Sequence, residues 1–436
     1  MATLRRRLLT SAAVLGGSLL LLAVVGASEG DDDAGMTAIR ELLRETPLID
    51  GHNDAPWVIR DKLGNRLEGF DFHETSTLEL AMHTDIRRLR AGGVGGQFWS
   101  VWVPPELEGG AAVVTVLEQI DLVHRLIERY PQDLELALTA DDIVSIHGRG
   151  KIASLIGVEG GYSIGESLPV LRQLFALGAR YMTLTHWKTT SWCDSATDAP
   201  RHDGLSPFGL EVVREMNRLG MMVDLSHVSA AAMRDAIEVS RAPVIFSHSS
   251  AGALNPHPRN VPDDILEMVR DRGGVVMVNF GTFFLSTELL ERYAESRGER
   301  ARLEVLYPGD SETVDSELDA WLEAMPMPKL TVAEVADHID HIRDVAGIDH
   351  VGLGSDFDGI KGVPEGLEDV SGYPALLAEL ARRRYSREEL AKKVAGLNLL
   401  RVMREVEAVA AAMKGVVEPS EATIGSDPQE LPPHHD

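Results

Sequence analysis

The stretch LIDGHNDAPW, Leu48–Trp57, closes a short apolar run with His52 and Asp54 two positions apart. Side chains spaced by two on a strand project to one face, so both groups aim at a common centre. Such groups are costly to bury unless they are paired or hold a cation. Other apolar runs along the chain end in the same way.

Eight short β-type runs recur at the spacing of repeated βα units. They are PLID before His52, GGQFWSVWV (Gly95–Val103), IASLIGVEG (Ile152–Gly160), ARYMTLTH (Ala179–His186), GMMVDLSH (Gly220–His227), APVIFSH (Ala242–His248), GGVVMVNF (Gly273–Phe280) and HVGLGSD (His350–Asp356). Amphipathic patterns such as LPVLRQLFALG (Leu168–Gly178) and GLEVVREMNRLG (Gly209–Gly220) lie between them, each closed by a glycine suited to a helix C-terminus. VVMV and PVIF are apolar throughout, as strands covered on both faces are. Eight parallel strands with crossover helices predict an α/β fold, a closed (β/α)8 TIM barrel. An open doubly wound sheet is the alternative, but no Gly-rich phosphate loop follows the first run, and AGGVGGQ (Ala91–Gln97) leads into a strand rather than out of one. The charged segment 286–328, with ERYAESRGERARLE and SELDAWLEAM, reads as a solvated helical insertion after the seventh run, with a lid or partner surface as the alternative.

The chain has 436 residues, 44% of them apolar, and 68 acidic against 42 basic side chains give a formal charge of −26. That field repels nucleic acid and anionic membranes, so neither is expected as a partner. Arg5, Arg6 and Arg7 precede an apolar run, Leu8 to Val25, and small residues Gly26, Ala27 and Ser28 follow. This predicts a signal peptide over residues 1–27, loosely of the twin-arginine type, and export to the periplasm or the extracellular space. The alternative is an uncleaved N-terminal membrane anchor, since roughly 18 apolar residues can just span a bilayer. Cys193 is the only cysteine, so no internal disulfide is expected and the thiol reads as free and partly buried. The barrel domain is expected over 36–412. Residues 416–436, which include EPSEATIGSDPQELPPHHD, read as a disordered tail because they are polar and Pro-bearing.

Six of the eight runs end in ionisable groups: His52 with Asp54, Glu159, His186, His227, His248 and Asp356. In a barrel all strand C-termini meet at one rim, so these scattered residues would converge. Histidines and carboxylates suit a divalent ion such as zinc, manganese or cobalt. Ligands from so many strands favour two ions sharing a bridging carboxylate. Glu159 is placed to bridge, because the glycines of GVEGG allow close backbone approach.

Seven motifs in order, DGHND (Asp50), GVEGGYSIG (Gly157), YMTLTHW (Tyr181), DLSHVS (Asp224), IFSHSSA (Ile245), RNVPDDIL (Arg259) and VGLGSDFDG (Val351), resemble the membrane (renal) dipeptidase family of zinc metallopeptidases. The resemblance covers about 40 to 410, with the signal, the insertion near 286–328 and the tail outside it. It implies two Zn2+ per chain, one held by His52 and Asp54 and the other by His227 and His248, with Glu159 shared. It implies that His186 contacts the substrate carbonyl, that Arg259 grips the substrate's terminal carboxylate, and that Asp356 handles the proton. Asp358 reads, by analogy, as structural or as a support behind the ligands. The implied reaction is hydrolysis of dipeptides with a free C-terminus by a metal-bridging hydroxide, and a homodimer is an open expectation because family members form one. The same rim could instead cleave another amide, an ester or a lactam. A non-catalytic metal-binding protein is the alternative of a different class.

The remaining candidates are weaker. His338 and His341, three apart on an amphipathic helix, read as a surface face, and His73, His83 and His202 have no partner spacing. Trp187 and Trp192, in the loop after the fourth run, offer either an apolar wall for the substrate or core packing.

Overall fold

A computed structural model of the chain describes residues 29–76 and 82–425. The strands are β1 (Leu48–Asn53), β2 (Val94–Trp102), β3 (Leu134–Leu136), β4 (Ile152–Glu159), β5 (Ala179–Thr183), β6 (Met222–Asp224), β7 (Ile245–Phe246), β8 (Val275–Val278) and β9 (Val351–Leu353). All pairings are parallel, and eight strands close a ring in the order β1, β2, β4, β5, β6, β7, β8, β9 and back to β1. The closing seam is β2 on β4, in register from Gly96↔Ala153 to Trp102↔Glu159, which eliminates the open doubly wound sheet. The eight-run count matches the ring and omits β3. That three-residue strand pairs with Ile152–Ser154 at the start of β4, below the point where β5 joins at Ile156.

Helices fill the crossovers. Pro207–Leu219 starts on the Ser206 hydroxyl, which accepts from the Gly209 amide, carries Pro in its first turn, and stops at Gly220 with φ 85°. Most buried apolar residues lie in one continuous cluster between strands and surrounding helices. A second cluster joins Ile49, Phe98, Leu155, Tyr181, Ile245, Val275 and Met277 of the strands to Leu399, Val402 and Met403 of helix Asn398–Met413. It makes the barrel a packed core rather than a pore.

The charged insertion forms helices Thr287–Leu306 and Ser311–Ala324, packed on each other as a hairpin. Ser286 and Asp310 cap them by accepting from the Leu289 and Thr313 amides. Residues 1–28, where the export signal is expected, lie outside the described residues, as do 426–436. Among the described residues no helix is long and apolar enough to cross a membrane. The tail reading is corrected for its first part. Ser420 donates its hydroxyl to Glu211 (2.8 Å) and its backbone oxygen accepts from Arg172 (3.2 Å), and Ala422 is buried. Polar composition hid this docking because the partners, Glu211 and Arg172, lie on two helices far away in the chain.

Candidate metal centre

The ring gathers the predicted site residues at one rim, although the strands stop earlier than their apolar runs suggest. His52 lies within β1 and Glu159 ends β4, whereas His186 and His227 fall three residues past β5 and β6, and Asp356 three past β9. Asp54 is not extended: at φ −97° and ψ 18° it heads helix Ala55–Leu63. Its side chain still meets His52, so the two-residue spacing delivers the expected pairing by a turn rather than by strand alternation. His227 and Asp356 carry left-handed φ values of 71° and 65°, uncommon without glycine and concentrated at functional sites.

Glu159 is the centre of the cluster. Its Oε2 lies 3.4 Å from His52 Nε2, while Oε1 lies 3.1 Å from His227 Nε2 and 3.4 Å from both His248 Nε2 and His186 Nε2. His52 Nε2 also faces Asp54 Oδ2 at 3.3 Å, and the Nε2 atoms of His227 and His248 approach to 3.0 Å. His52, Asp54 and Asp356 form a further compact trio of candidate ligand atoms. All these residues are at most 9% exposed. The compact trios His52–Glu159–His248 and Glu159–His186–His227 cross the division implied by the resemblance, and His186 sits as close to Glu159 as two of the expected ligands do.

Two imidazoles are set for a cation by neighbours that sequence reasoning left unassigned. The Tyr181 hydroxyl, which donates to the Gly51 carbonyl (3.1 Å), stands 2.9 Å from His52 Nδ1 and can accept a hydrogen bond from it. Similarly, the Ser247 hydroxyl donates to Asp224 Oδ2 (2.6 Å) and accepts from His248 Nδ1–H (2.7 Å). A proton on each Nδ1 would leave the Nε2 lone pair facing the cluster. His52 Nε2 has no hydrogen-bond partner among the described residues, an arrangement expected of a ligand atom. Gly157 makes the first brace possible, since a Cβ there would fall 2.0 Å from the Tyr181 ring. Asp50 ties the rim together, accepting from Gln97 Nε2 (2.9 Å) and from the Ser355 amide and hydroxyl (2.8 Å each). Tyr181, Asp224 and Asp50 all stand inside the quoted motifs, but only contacts across strands reveal what they do.

Electrostatics fit the same reading. Burial holds His186, His227 and His248 well below the usual imidazole range, so they are neutral and able to ligate. At His52 burial acts the same way, yet the Tyr181 hydroxyl and the carboxylates of Glu159 and Asp54 outweigh it and invite positive charge. Burial and the neighbouring Asp54 push Asp356 well above the usual carboxylate range, and Asn279 Nδ2 donates to its Oδ2 at 2.8 Å. Gly359 lets the two acids approach, because a Cβ there would meet Asp54 Oδ2 at 2.3 Å and Asp356 Oδ1 at 2.5 Å.

Arg259 is 4% exposed, donates to Ser249 Oγ (3.1 Å) and to the His248 carbonyl (3.2 Å), and stands over the Phe284 ring. No carboxylate among the described residues lies within ion-pair distance, and Nε has no partner, so a loop-pinning salt bridge is ruled out there. Burial lowers the guanidinium to about 10. Asp358 lies outside the cluster. It accepts from the His83 amide (2.7 Å), its own amide donates to His83 Nδ1 (3.0 Å), and burial pushes its carboxyl up to about 7. His83 therefore has a partner that spacing did not reveal.

Other expectations are corrected. His338 is buried, not on a surface face: Nδ1 accepts from the Ala251 amide (2.9 Å) and Nε2 donates to the Leu285 carbonyl (3.1 Å), so a neutral ring is fully satisfied inside. His341 stays at the surface on Asp263, 2.8 Å away. Neither His73, between Asp71 and Asp133, nor His202, on the Thr190 carbonyl, approaches the cluster. Cys193 is wholly buried rather than partly so, and burial raises its thiol, which removes it as a nucleophile. Trp192 is core, whereas Trp187 stays 45% exposed beside His186.

A closed parallel barrel with buried histidines and carboxylates converging at its C-terminal rim defines a metal-dependent hydrolase. The profile of the membrane dipeptidase family (Peptidase family M19) matches residues 36–416, and the chain belongs to that family. Dipeptidase verJ of Clonostachys rogersoniana is 40% identical over 393 residues, 88% of this chain and 90% of the relative. Dipeptidase 3 of Rattus norvegicus is 41% identical over 395 residues, 89% and 69% respectively. Among solved structures, the probable dipeptidase PvdM from Pseudomonas aeruginosa matches with a TM-score of 0.73 and 26% identity, over 87% of this chain and 100% of that one. A metallo peptidase from Rhodobacter sphaeroides, liganded with a phosphinate mimic of the dipeptide L-Ala-D-Ala, matches with a TM-score of 0.66 and 27% identity, over 83% and 99%. The chain is a metal-dependent dipeptidase.

Proposed function

We propose that this dipeptidase binds two zinc ions and cleaves dipeptides that carry a free C-terminal carboxylate. The observation that carries this reading is the two-sided environment of Glu159, whose Oε2 faces His52 and whose Oε1 faces His227 and His248. His52 and Asp54 would hold one ion, His227 and His248 the other, and Glu159 both; His52 Nε2, which faces two carboxylates but has no hydrogen-bond partner among the described residues, fits that role. When bound, zinc polarises a carbonyl and makes water acidic enough to attack at neutral pH.

The chain's own residues do the rest. Arg259 presents its buried guanidinium to the substrate carboxylate, an acceptor it otherwise lacks. His186, at the edge of the cluster, donates to the scissile carbonyl oxygen as charge develops there. Asp356, oriented by Asn279 and raised in proton affinity, takes a proton from the attacking water and delivers it to the departing amine. The Rhodobacter sphaeroides relative's ligand makes a D residue at the second position a natural test substrate. Export after cleavage near residue 27 rests on the arginine-led apolar N-terminus, and a homodimer rests on the family resemblance. N-terminal sequencing and sedimentation read these two directly.

The deciding experiment is elemental analysis of purified protein beside a panel of L,L- and L,D-dipeptides, tripeptides and amidated controls. Two zinc equivalents, activity lost on chelation, and cleavage confined to free-acid dipeptides are expected. A single equivalent in fully active enzyme, or equal turnover of amidated controls, would overturn the reading.

A further inference from the structure

We propose that an aromatic wall formed by Trp102, Trp187 and Trp57 receives the side chain of the substrate's N-terminal residue and selects dipeptides that begin with a bulky apolar or aromatic residue. The inference rests on the reading of Arg259 as the carboxylate clamp. Trp102 ends β2, Trp187 follows β5, and Trp57 sits in the helix after β1. Their rings form one surface: Trp57 meets Trp102 edge to face at 4.3 Å, and Trp102 meets Trp187 at 5.4 Å. The surface continues onto the cluster, since Trp102 and Trp187 lie 5.3 Å and 4.1 Å from the His186 ring.

Barrel order gives the wall its place along the substrate. Arg259 stands in the loop after β7, and β2 is four strands from β7 in either direction around the ring. The cluster around Glu159 lies between them. A dipeptide whose carboxylate sits on Arg259 and whose scissile carbonyl meets the cluster therefore directs its N-terminal residue toward Trp102. Exposure supports the assignment. Trp99 and Trp192 are completely buried, whereas Trp187 keeps 45% of its surface open beside the site, which a covering apolar group would take out of water. Glu106 and Lys188, 3.2 Å apart, tie the β2 and β5 loops together on this side.

The test is steady-state kinetics of the full-length, zinc-loaded enzyme on Gly-Ala, Leu-Ala and Phe-Ala, and on a second series varied at the C-terminal residue. The wild type is expected to favour Phe-Ala over Gly-Ala about tenfold or more in kcat/KM. Trp187→Ala should reduce that ratio about tenfold, chiefly through KM, with Trp187→Phe restoring most of it, and Trp102→Leu should act in the same direction. An unchanged ratio in a folded Trp187→Ala, or a shift appearing in the C-terminal series instead, would overturn the wall. Phe-Ala-amide separates the two ideas. Equal cleavage of the amide by the wild type means that the clamp has failed, whereas a strict need for the free acid with an unmoved N-terminal ratio means that only the wall has.

Discussion

The barrel rim and the helical hairpin of 287–324 are both dense in ionisable residues, yet they hold charge in opposite ways. At the rim Glu159, His227, His248 and Arg259 are at most 8% exposed, and their partners come from separate strands. In the hairpin Arg300 pairs with Asp315 at 2.6 Å while the two side chains stay 46% and 58% exposed, and Arg302 pairs with Glu299 three residues away. Water screens the second kind and leaves little net energy in each pair. Exclusion of water makes the first kind strong and also costly unless a cation or substrate completes it. Charge in a sequence thus signals chemistry where the fold desolvates it.

The sharpest way to break this contrast is Glu159→Gln, which keeps shape and removes charge. Metal content should fall below that of the wild type and dipeptide hydrolysis below detection, as read by elemental analysis and assay. His338 joins the two regions, since it bonds Ala251 on the loop that carries Arg259 and Leu285 at the hairpin root. Burial lowers it from 6.5 to about 4, so the unfolded chain binds the extra proton between those values and stability falls as pH drops through that window. The loss is about 3 kcal/mol for the single ring. Thermal melts of the metal-free protein at pH 7 and 4.5 should show a smaller drop in His338→Asn than in the wild type.

Arg259→Met should reduce kcat/KM for a free-acid dipeptide about a hundredfold, while a neutral ester suffers far less. Its Tm should hold or rise, because an unpaired buried cation has been removed. A fall in Tm with equal loss on both substrates would make Arg259 a structural residue. Tyr181→Phe removes only the hydroxyl beside His52 Nδ1, and metal affinity in chelator competition should weaken about 10- to 100-fold. Smallest of all, Arg300→Ala in the hairpin should change stability by about 0.5 kcal/mol or less and leave kinetics unaltered. A large effect there would refute the contrast itself.

Much of the fold and site was legible in the residue order. Continuous apolar runs separated by amphipathic stretches announced the barrel, and acids and histidines at the run ends announced the rim. The parts that were not legible share a cause. β3 is too short to carry a pattern, Asp54 reaches His52 through a turn, and His338 looks like a surface residue until Ala251 and Leu285 are seen around it. The docking of Ser420 on Glu211 was hidden for the same reason. Periodicity reports which face is apolar, but it says nothing about which polar partner waits across a non-local contact.

The sequence by itself determined the repeating βα plan, the identity of the cluster residues and the family to which the chain is similar, because local pattern and side-chain chemistry are written one residue at a time. Only the tertiary structure decided which hydroxyls face Nδ1 of His52 and of His248, that Arg259 is buried with no acid partner among the described residues, and which tryptophans stay open beside the site. Those properties depend on hydrogen-bond partners and on water removed by strands far apart in the chain, and neither exists until the ring has closed.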